Sequence, residues 1–268
     1  MSSPRTLLAL VLALTLGASS AWSASITIGA SKDNSIFQDL AANSAGGAAG
    51  IFVGTTVTGS PRRGLIAFDV AGSVPAGATI TSAQLTLNLA LSRGASKQTV
   101  GLHRLLADWG EGTAGNSNLT VQNSGGGFAA GAGDATWNQR YFGSTAWSNP
   151  GAIGDFDPSA SSSAAIESAG VNPTPYDWLS TPELVGDVQS WLDNPVASFG
   201  WILINANETP SGSARAFFSR SATVNAGGDP LDPSARPALT ITYSIVPEPS
   251  TVVLSLLSGA VVFVVRRR

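Results

Sequence analysis

The chain has 268 residues, 14 basic and 17 acidic side chains, one histidine and no cysteine. This excludes disulfide staples, thiolate metal sites, cysteine nucleophiles and a multi-histidine metal centre. Charged residues make up only 12% and no basic run precedes the last three residues, so nucleic acid is not an expected partner.

In chain order, Met1 to Arg5 carries one positive charge, Thr6 to Leu16 is apolar, and Gly17 to Ala24 is small and polar. This pattern predicts a secretory signal peptide over residues 1–23, cleaved after Ala21 or after Ser23. Ser25 to Gly29 is a short alternating strand, and Ala41 to Gly50 a small-residue loop. Ile51 to Val53 and Gly64 to Phe68 are apolar runs bounded by turn residues. Thr79 to Leu91 carries the clearest signal: Ala83, Leu85, Leu87, Leu89 and Leu91 alternate with more polar residues, which predicts one buried face. Gln98 to Leu105 reads as a further strand. Gly110 to Pro175 is rich in Gly, Ser, Ala and Asn and reads as functional loops or an edge insertion.

One helix is expected over 182–193. Leu184, Val185, Val188, Trp191 and Leu192 form its apolar stripe, Ser180 or Thr181 its cap, and Pro182 its first turn. Phe199 to Asn205, Ala214 to Ser221 and Ala238 to Tyr243 complete the strands. Many short strands and one helix predict an all-β chain, a jelly-roll-like β-sandwich with one short edge helix, spanning 25–244 as one domain.

The chain ends in Pro247-Glu248-Pro249, an uncharged run over 251–265, and Arg266-Arg267-Arg268. The run spans about 22 Å as a helix, against a hydrocarbon core of roughly 30 Å. The arginines are placed on the cytoplasmic side, leaving Pro-Glu-Pro outside as an extended protease target. This tail, over 247–268, resembles the PEP-CTERM sorting signal. The resemblance implies processing near Pro247, Glu248 and Pro249 by an exosortase, a transient membrane attachment, and export to the cell surface, envelope or extracellular matrix of a Gram-negative bacterium. The other reading of the tail is an ordinary C-terminal membrane anchor.

Further segments carry a second resemblance. They are Lys32-Asp33-Asn34-Ser35-Ile36-Phe37, the paired arginines Arg62-Arg63 before Gly64 to Asp69, and Ala107-Asp108-Trp109-Gly110-Glu111-Gly112-Thr113. Gly133-Asp134-Ala135-Thr136-Trp137, Phe217-Phe218-Ser219-Arg220 and Pro237 to Ile241 follow in that order. Together they resemble the DNRLRE domain, a β-sandwich similar to carbohydrate-binding module family 96. The resemblance implies a jelly roll and, for some members, polysaccharide binding.

The acids Asp108, Glu111 and Asp134, with Asp33 in a second oxygen-rich stretch, admit three readings. They are turn caps, oxygen ligands of calcium, or an acid–base pair for polysaccharide cleavage. His103 is expected to be structural or at the surface, facing away from Leu102. Trp191 and Trp201 are expected in the core. Trp109 and Trp137 are packing residues or sugar contacts, whereas Tyr141 and Trp147, in the irregular stretch, are freer for a ligand. Arg62, Arg63, Arg215 and Arg220 meet either an acidic polysaccharide through carboxylate contacts or nearby acids through ion pairs. The expected ligand set is therefore Arg63, Trp109, Trp137, Tyr141, Trp147 and Arg215. The expected metal set is Asp33, Asp108, Glu111 and Asp134.

Two functions stand against each other. One is an exported, non-catalytic surface or exopolysaccharide-matrix protein that binds a glycan. The other is a secreted polysaccharide-degrading enzyme using Asp108, Glu111 or Asp134. Sparse charge and 7% aromatic residues favour the first.

Overall fold

The computed structural model describes residues 22–94, 96–167 and 173–245. The chain divides into a body, Ser23–Ser244, and a terminal unit, Met1–Trp22 with Ile245–Arg268, of which Trp22 and Ile245 alone are described. Most of the expected signal peptide, the short apolar run 251–265 and the expected processing residues Pro247, Glu248 and Pro249 lie outside the described residues. No helix among the described residues is long and apolar enough to cross a membrane.

The strands are β1 (Trp22–Gly29), β2 (Lys32–Phe37), β3 (Asn43–Ser44), β4 (Gly50–Thr55), β5 (Pro61–Ala67), β6 (Thr79–Ser92) and β7 (Gln98–Arg104). They continue as β8 (Phe128–Ala129), β9 (Gln139–Tyr141), β10 (Thr145–Ala146), β11 (Ser162–Ile166) and β12 (Thr174–Trp178). Helix α1 (Pro182–Asp193) precedes β13 (Trp201–Asn205), β14 (Arg215–Phe218) and β15 (Ala238–Ile245). The main sheet runs β1-β15-β6-β14-β4-β5-β13-β7-β11, with β12 added to β6 and β2 to β5. The pairs whose register is resolved are antiparallel.

The sheet curls into two facing layers, and β4 carries the chain between them. Gly50 to Val53 pair with β14 in one layer, whereas Gly54 and Thr55 pair with β5 in the other. Gly54 makes this corner: its φ is +94°, and a Cβ there would lie 2.8 Å from the Ser213 carbonyl oxygen. The result is an all-β sandwich with, among the described residues, one α-helix, as expected.

β6 carries the core. Ala83, Leu85, Leu87 and Leu89 are fully buried, each leucine contributing about 1.5–3 kcal/mol of transfer free energy. Leu91 departs from the predicted stripe. Ala216 pairs with Leu91 but Phe217 with Leu89, so a bulge shifts the register there. Beyond it, Ala90 and Leu91 both pack against a second apolar cluster built on Phe37, Phe52, Val121 and Phe218.

Helix α1 begins where the capping residues predict: Thr181 Oγ1 accepts from Leu184 N at 3.0 Å. Leu184, Val188, Trp191 and Leu192 are buried, Val185 is half-buried, and Asp187 is buried in addition. Asp187 is tolerated because Ser161 Oγ and Trp201 Nε1 donate to its Oδ2 at 2.5 and 2.7 Å. Trp191 and Trp201 meet edge to face, 4.4 Å apart, in the core as expected. His103 is half-exposed, its Nδ1 3.0 Å from the Asp157 carbonyl oxygen.

The stretch from Gly110 to Pro175, expected to be irregular, is more ordered than its composition suggests. It contains β8 to β11, and β11 closes one edge of the sheet on β7 while β12 begins at Thr174. Their short small-residue runs, such as Ser-Ser-Ala-Ala-Ile, carry little hydrophobic periodicity, so pairing partners rather than local pattern define them.

Candidate functional site

The acids singled out in the sequence meet where β2 enters the body. Gly110 and Gly112 make this possible by their lack of a side chain. A Cβ on Gly110 would lie 1.7 Å from the Gly133 carbonyl oxygen, and one on Gly112, whose φ is +68°, would lie 1.3 Å from Asp134 Oδ1. The Gly110–Thr113 turn and the Gly131–Asp134 turn are therefore pressed together. Asp134 closes the contact from the buried side: its Oδ1 accepts from Thr113 N at 3.2 Å and its Oδ2 from Gly131 N at 2.9 Å. It is a turn cap.

Part-buried Glu111 and fully buried Asp33 form a second arrangement. Arg220 forks onto Glu111 through Nε and Nη2, with Nη2 2.5 Å from Oε2. Asp33 N donates to Glu111 Oε1 at 2.8 Å, and Arg220 N donates to Asp33 Oδ2 at 2.7 Å. Asp33 Oδ1 is buried without a hydrogen-bond partner. Burial raises the Asp33 carboxyl from 3.8 to about 7, aided by the Glu111 charge and opposed by the Arg220 N–H and charge.

The third arrangement opens to solvent. Lys32 Nζ donates to Asp108 Oδ1 at 2.6 Å and to the Trp109 carbonyl at 2.8 Å, and lies 4.4 Å above the Trp109 ring. Tyr141 Oη donates to Asp108 Oδ2 at 2.7 Å. Arg140 Nη1 donates to the Asp108 carbonyl at 2.9 Å, its guanidinium 5.5 Å from the Tyr141 ring centre. Partial burial raises the Asp108 carboxyl, but the bonds from Lys32 and Tyr141 outweigh it and hold the group below the usual range. Desolvation, then the Asp108 carboxylate, pushes the Tyr141 phenol up to about 12, so it remains a hydrogen-bond donor. The Asp108 side chain is 46% exposed and Tyr141 half-buried, making this the accessible part of the acidic region.

The other expected ligand residues are placed differently. Trp109, Trp137 and Trp147 are all buried in one cluster with Leu65, Leu105 and Ile202. The freedom expected of Trp147 is corrected. The ring packs in that cluster at 4% exposure because its Nε1 finds the Thr136 carbonyl at 2.9 Å. Trp109 Nε1 likewise donates to the Phe199 carbonyl at 2.8 Å. Arg63, 7% exposed, forks onto Glu208, with Nη2 2.6 Å from Oε2, and gives Nη1 to the Gly151 carbonyl at 2.6 Å. Arg215, 1% exposed, donates to the carbonyls of Ser213, Ala214 and Ser96, and burial holds its guanidinium below its ordinary range. Of the six expected ligand residues, Tyr141 alone is less than nine-tenths buried.

The calcium expectation meets the same hydrogen bonds. Glu111, Asp108 and Asp134 offer oxygens already engaged by protein donors, leaving Asp33 Oδ1 as the unpartnered oxygen of the set. Among the described residues no three acidic or histidine side chains come together to hold an ion. As arranged, the four acids do not fit calcium as one ligand set.

No family model matches the chain, and no curated protein matches it.

Sequence reasoning missed Lys32 as a member of the site and Glu208 as the partner of Arg63. Lys32 was visible as the one lysine in the first 90 residues, next to Asp33. Its partner Asp108, 76 residues on, was not inferable from spacing.

Proposed function

We propose that the chain is an exported, non-catalytic cell-surface or exopolysaccharide-matrix protein that binds polysaccharide, and that an exosortase processes its C-terminal tail. The signal-like N-terminus and the Pro-Glu-Pro, apolar and triple-arginine tail support export and processing. The order of the Ala-Asp-Trp-Gly-Glu-Gly-Thr and Gly-Asp-Ala-Thr-Trp segments supports a DNRLRE-type β-sandwich.

One observation carries the binding reading: the accessible Tyr141 ring is anchored through Asp108 and flanked by Lys32 and Arg140. A sugar ring stacks on an aromatic face and offers hydroxyls to charged neighbours, and this face has both. The phenol is fixed at its oxygen, so little side-chain freedom is lost on binding. The same hydrogen bonds argue against the enzyme reading. Glu111 is neutralised by the Arg220 fork, Asp134 is consumed by two backbone donors, and Asp108 is held ionised. A general acid needs a carboxyl that stays protonated near neutral pH beside the scissile bond, and Asp33, which meets the first condition, is fully buried.

The reading is tested by screening the secreted chain against a glycan panel while assaying the same wells for reducing ends and for unsaturated lyase products. Retention of one or more polysaccharides without product release is expected. Steady product release abolished by Asp108→Asn would replace this reading with the enzyme.

A further inference from the structure

A second site lies at the far end of β2. Phe37, five residues from Lys32, is about 17 Å along the strand at the usual rise. It pairs with Arg62 on β5, and the Arg62 guanidinium lies 5.1 Å from the Phe37 ring centre. Beside them opens a pocket of about 390 Å³, whose lining includes Phe52, Leu91, Arg62, Arg93, Gln122 and Asn123. The register shift in β6 that diverts Leu91 from the inner core supplies one wall. The 3-10 turn Val121–Ser124 supplies the two amides.

Arg62 is 4% exposed and only partly satisfied. Its Nη1 donates to Ser60 Oγ at 2.8 Å and to the Pro61 carbonyl at 3.2 Å, and pairs with Asp39 Oδ1 at 2.7 Å. Its Nε is buried with no partner. Nη2 makes no hydrogen bond among the described residues. Nε and Nη2 form one edge of the guanidinium fork, the edge that takes a carboxylate in two parallel bonds. Leaving a buried charged donor unmade is costly, so a ligand oxygen there recovers a real penalty. Arg93, exposed on the rim, has no acidic partner among the described residues.

We propose that this pocket binds a compact organic carboxylate, with the acid between Arg62 and Arg93 and the body of the ligand against Phe52 and Leu91. The volume matches a single six-membered ring unit, at the small end of ligand pockets. A neutral ring leaves the Arg62 edge unpaired and is rejected. Asp39 is the opposing element: its side chain is 42% exposed, and its charge competes for Arg62. Two sources share this chemistry, a uronic-acid unit of a glycan and a free alicyclic acid.

Calorimetric titration of the secreted chain at low salt separates them, using glucuronate, methyl glucoside and cyclohexanecarboxylate. Glucuronate is expected to bind and methyl glucoside to fail. Cyclohexanecarboxylate binding equally assigns the pocket to free acids, and its failure assigns it to sugar acids. Arg93→Ala is expected to weaken binding about tenfold at unchanged melting temperature, and Asp39→Asn to strengthen it several-fold while lowering the melting temperature of the unliganded chain, because it removes the ion pair with Arg62. Tyr141→Ala is expected to leave it unaltered, which keeps this pocket distinct from the glycan face. Methyl glucoside binding as tightly as glucuronate, neither acid binding, or an affinity indifferent to Arg93→Ala would overturn the proposal.

Discussion

Asp33 and Glu111 are joined twice over: Asp33 N donates to Glu111 Oε1 at 2.8 Å, and Arg220 forks its guanidinium onto Glu111 while its backbone N–H donates to Asp33 Oδ2 at 2.7 Å. The arrangement ties β2 to the Gly110 turn and to the turn after β14. It is also electrostatically unbalanced, since the Arg220 guanidinium pairs with Glu111 while Asp33 is fully buried and takes only the Arg220 backbone N–H.

A pH dependence follows. The Asp33 carboxyl rises from 3.8 to about 7 in the folded chain, so the folded state binds this proton more tightly than the unfolded state. Its contribution to stability is complete below about 4 and is lost as pH rises through about 7, on the order of a few kcal/mol. Asp39 and Asp108, held low, act in the opposite sense and lose their contribution only in acid. Between pH 5 and 8 the melting temperature is expected to fall, and Asp33→Asn to flatten that fall. Parallel pH profiles for the two proteins would refute the role given to Asp33.

The β6 bulge separates two leucines that look equivalent in sequence. Leu87 is fully buried between the layers, whereas Leu91 is half-buried at the second cluster. Leu87→Ala is expected to cost about 2–5 kcal/mol and Leu91→Ala clearly less. Equal losses in denaturant melts would mean that the alternation continues unbroken through Leu91.

Gly112 has no room for a methyl group. With φ at +68° and Asp134 Oδ1 where a Cβ would go, Gly112→Ala must displace the Asp134 cap and adopt a strained backbone. A loss on the order of 2–4 kcal/mol is expected, against only the backbone strain of about 1–2 kcal/mol at Gly77, where φ is also positive but no atom lies within 4 Å. A melting temperature for Gly112→Ala equal to that of Gly77→Ala would show that the two turns are not interlocked.

The processing reading concerns the ends of the chain. Mass spectrometry of the surface-extracted protein is expected to lack residues 1 to about 23 and everything after about Pro249. An intact Arg266-Arg267-Arg268 terminus in the mature fraction would contradict it.

The contrast between what was legible and what was not has a physical basis. The Thr79–Leu91 alternation and the capped 182–193 stripe are local periodicities, and both elements formed there. The acids of the Gly110 and Gly133 turns were visible as residue types. Their partners were not, because Lys32–Asp108, Arg220–Glu111 and Arg63–Glu208 join positions 76 to 145 residues apart. Tryptophan was misleading for the same reason: Trp147 reads as a loop residue, yet the Thr136 carbonyl and the Leu65–Ile202 cluster bury it. The pocket beside Arg62 depends on a bulge, which leaves no periodic trace in sequence.

The central claim, that the Tyr141 face binds glycan without cleaving it, is tested most directly by titrating the best polysaccharide from the panel into three proteins. Tyr141→Ala is expected to lose affinity about tenfold or more in a chain that still folds, its melting temperature lowered by loss of the bond to Asp108. Tyr141→Phe, which keeps the ring but frees Asp108, is expected to fall between Ala and wild type. Wild-type affinity in Tyr141→Ala would contradict the account and move the glycan site elsewhere on the sandwich.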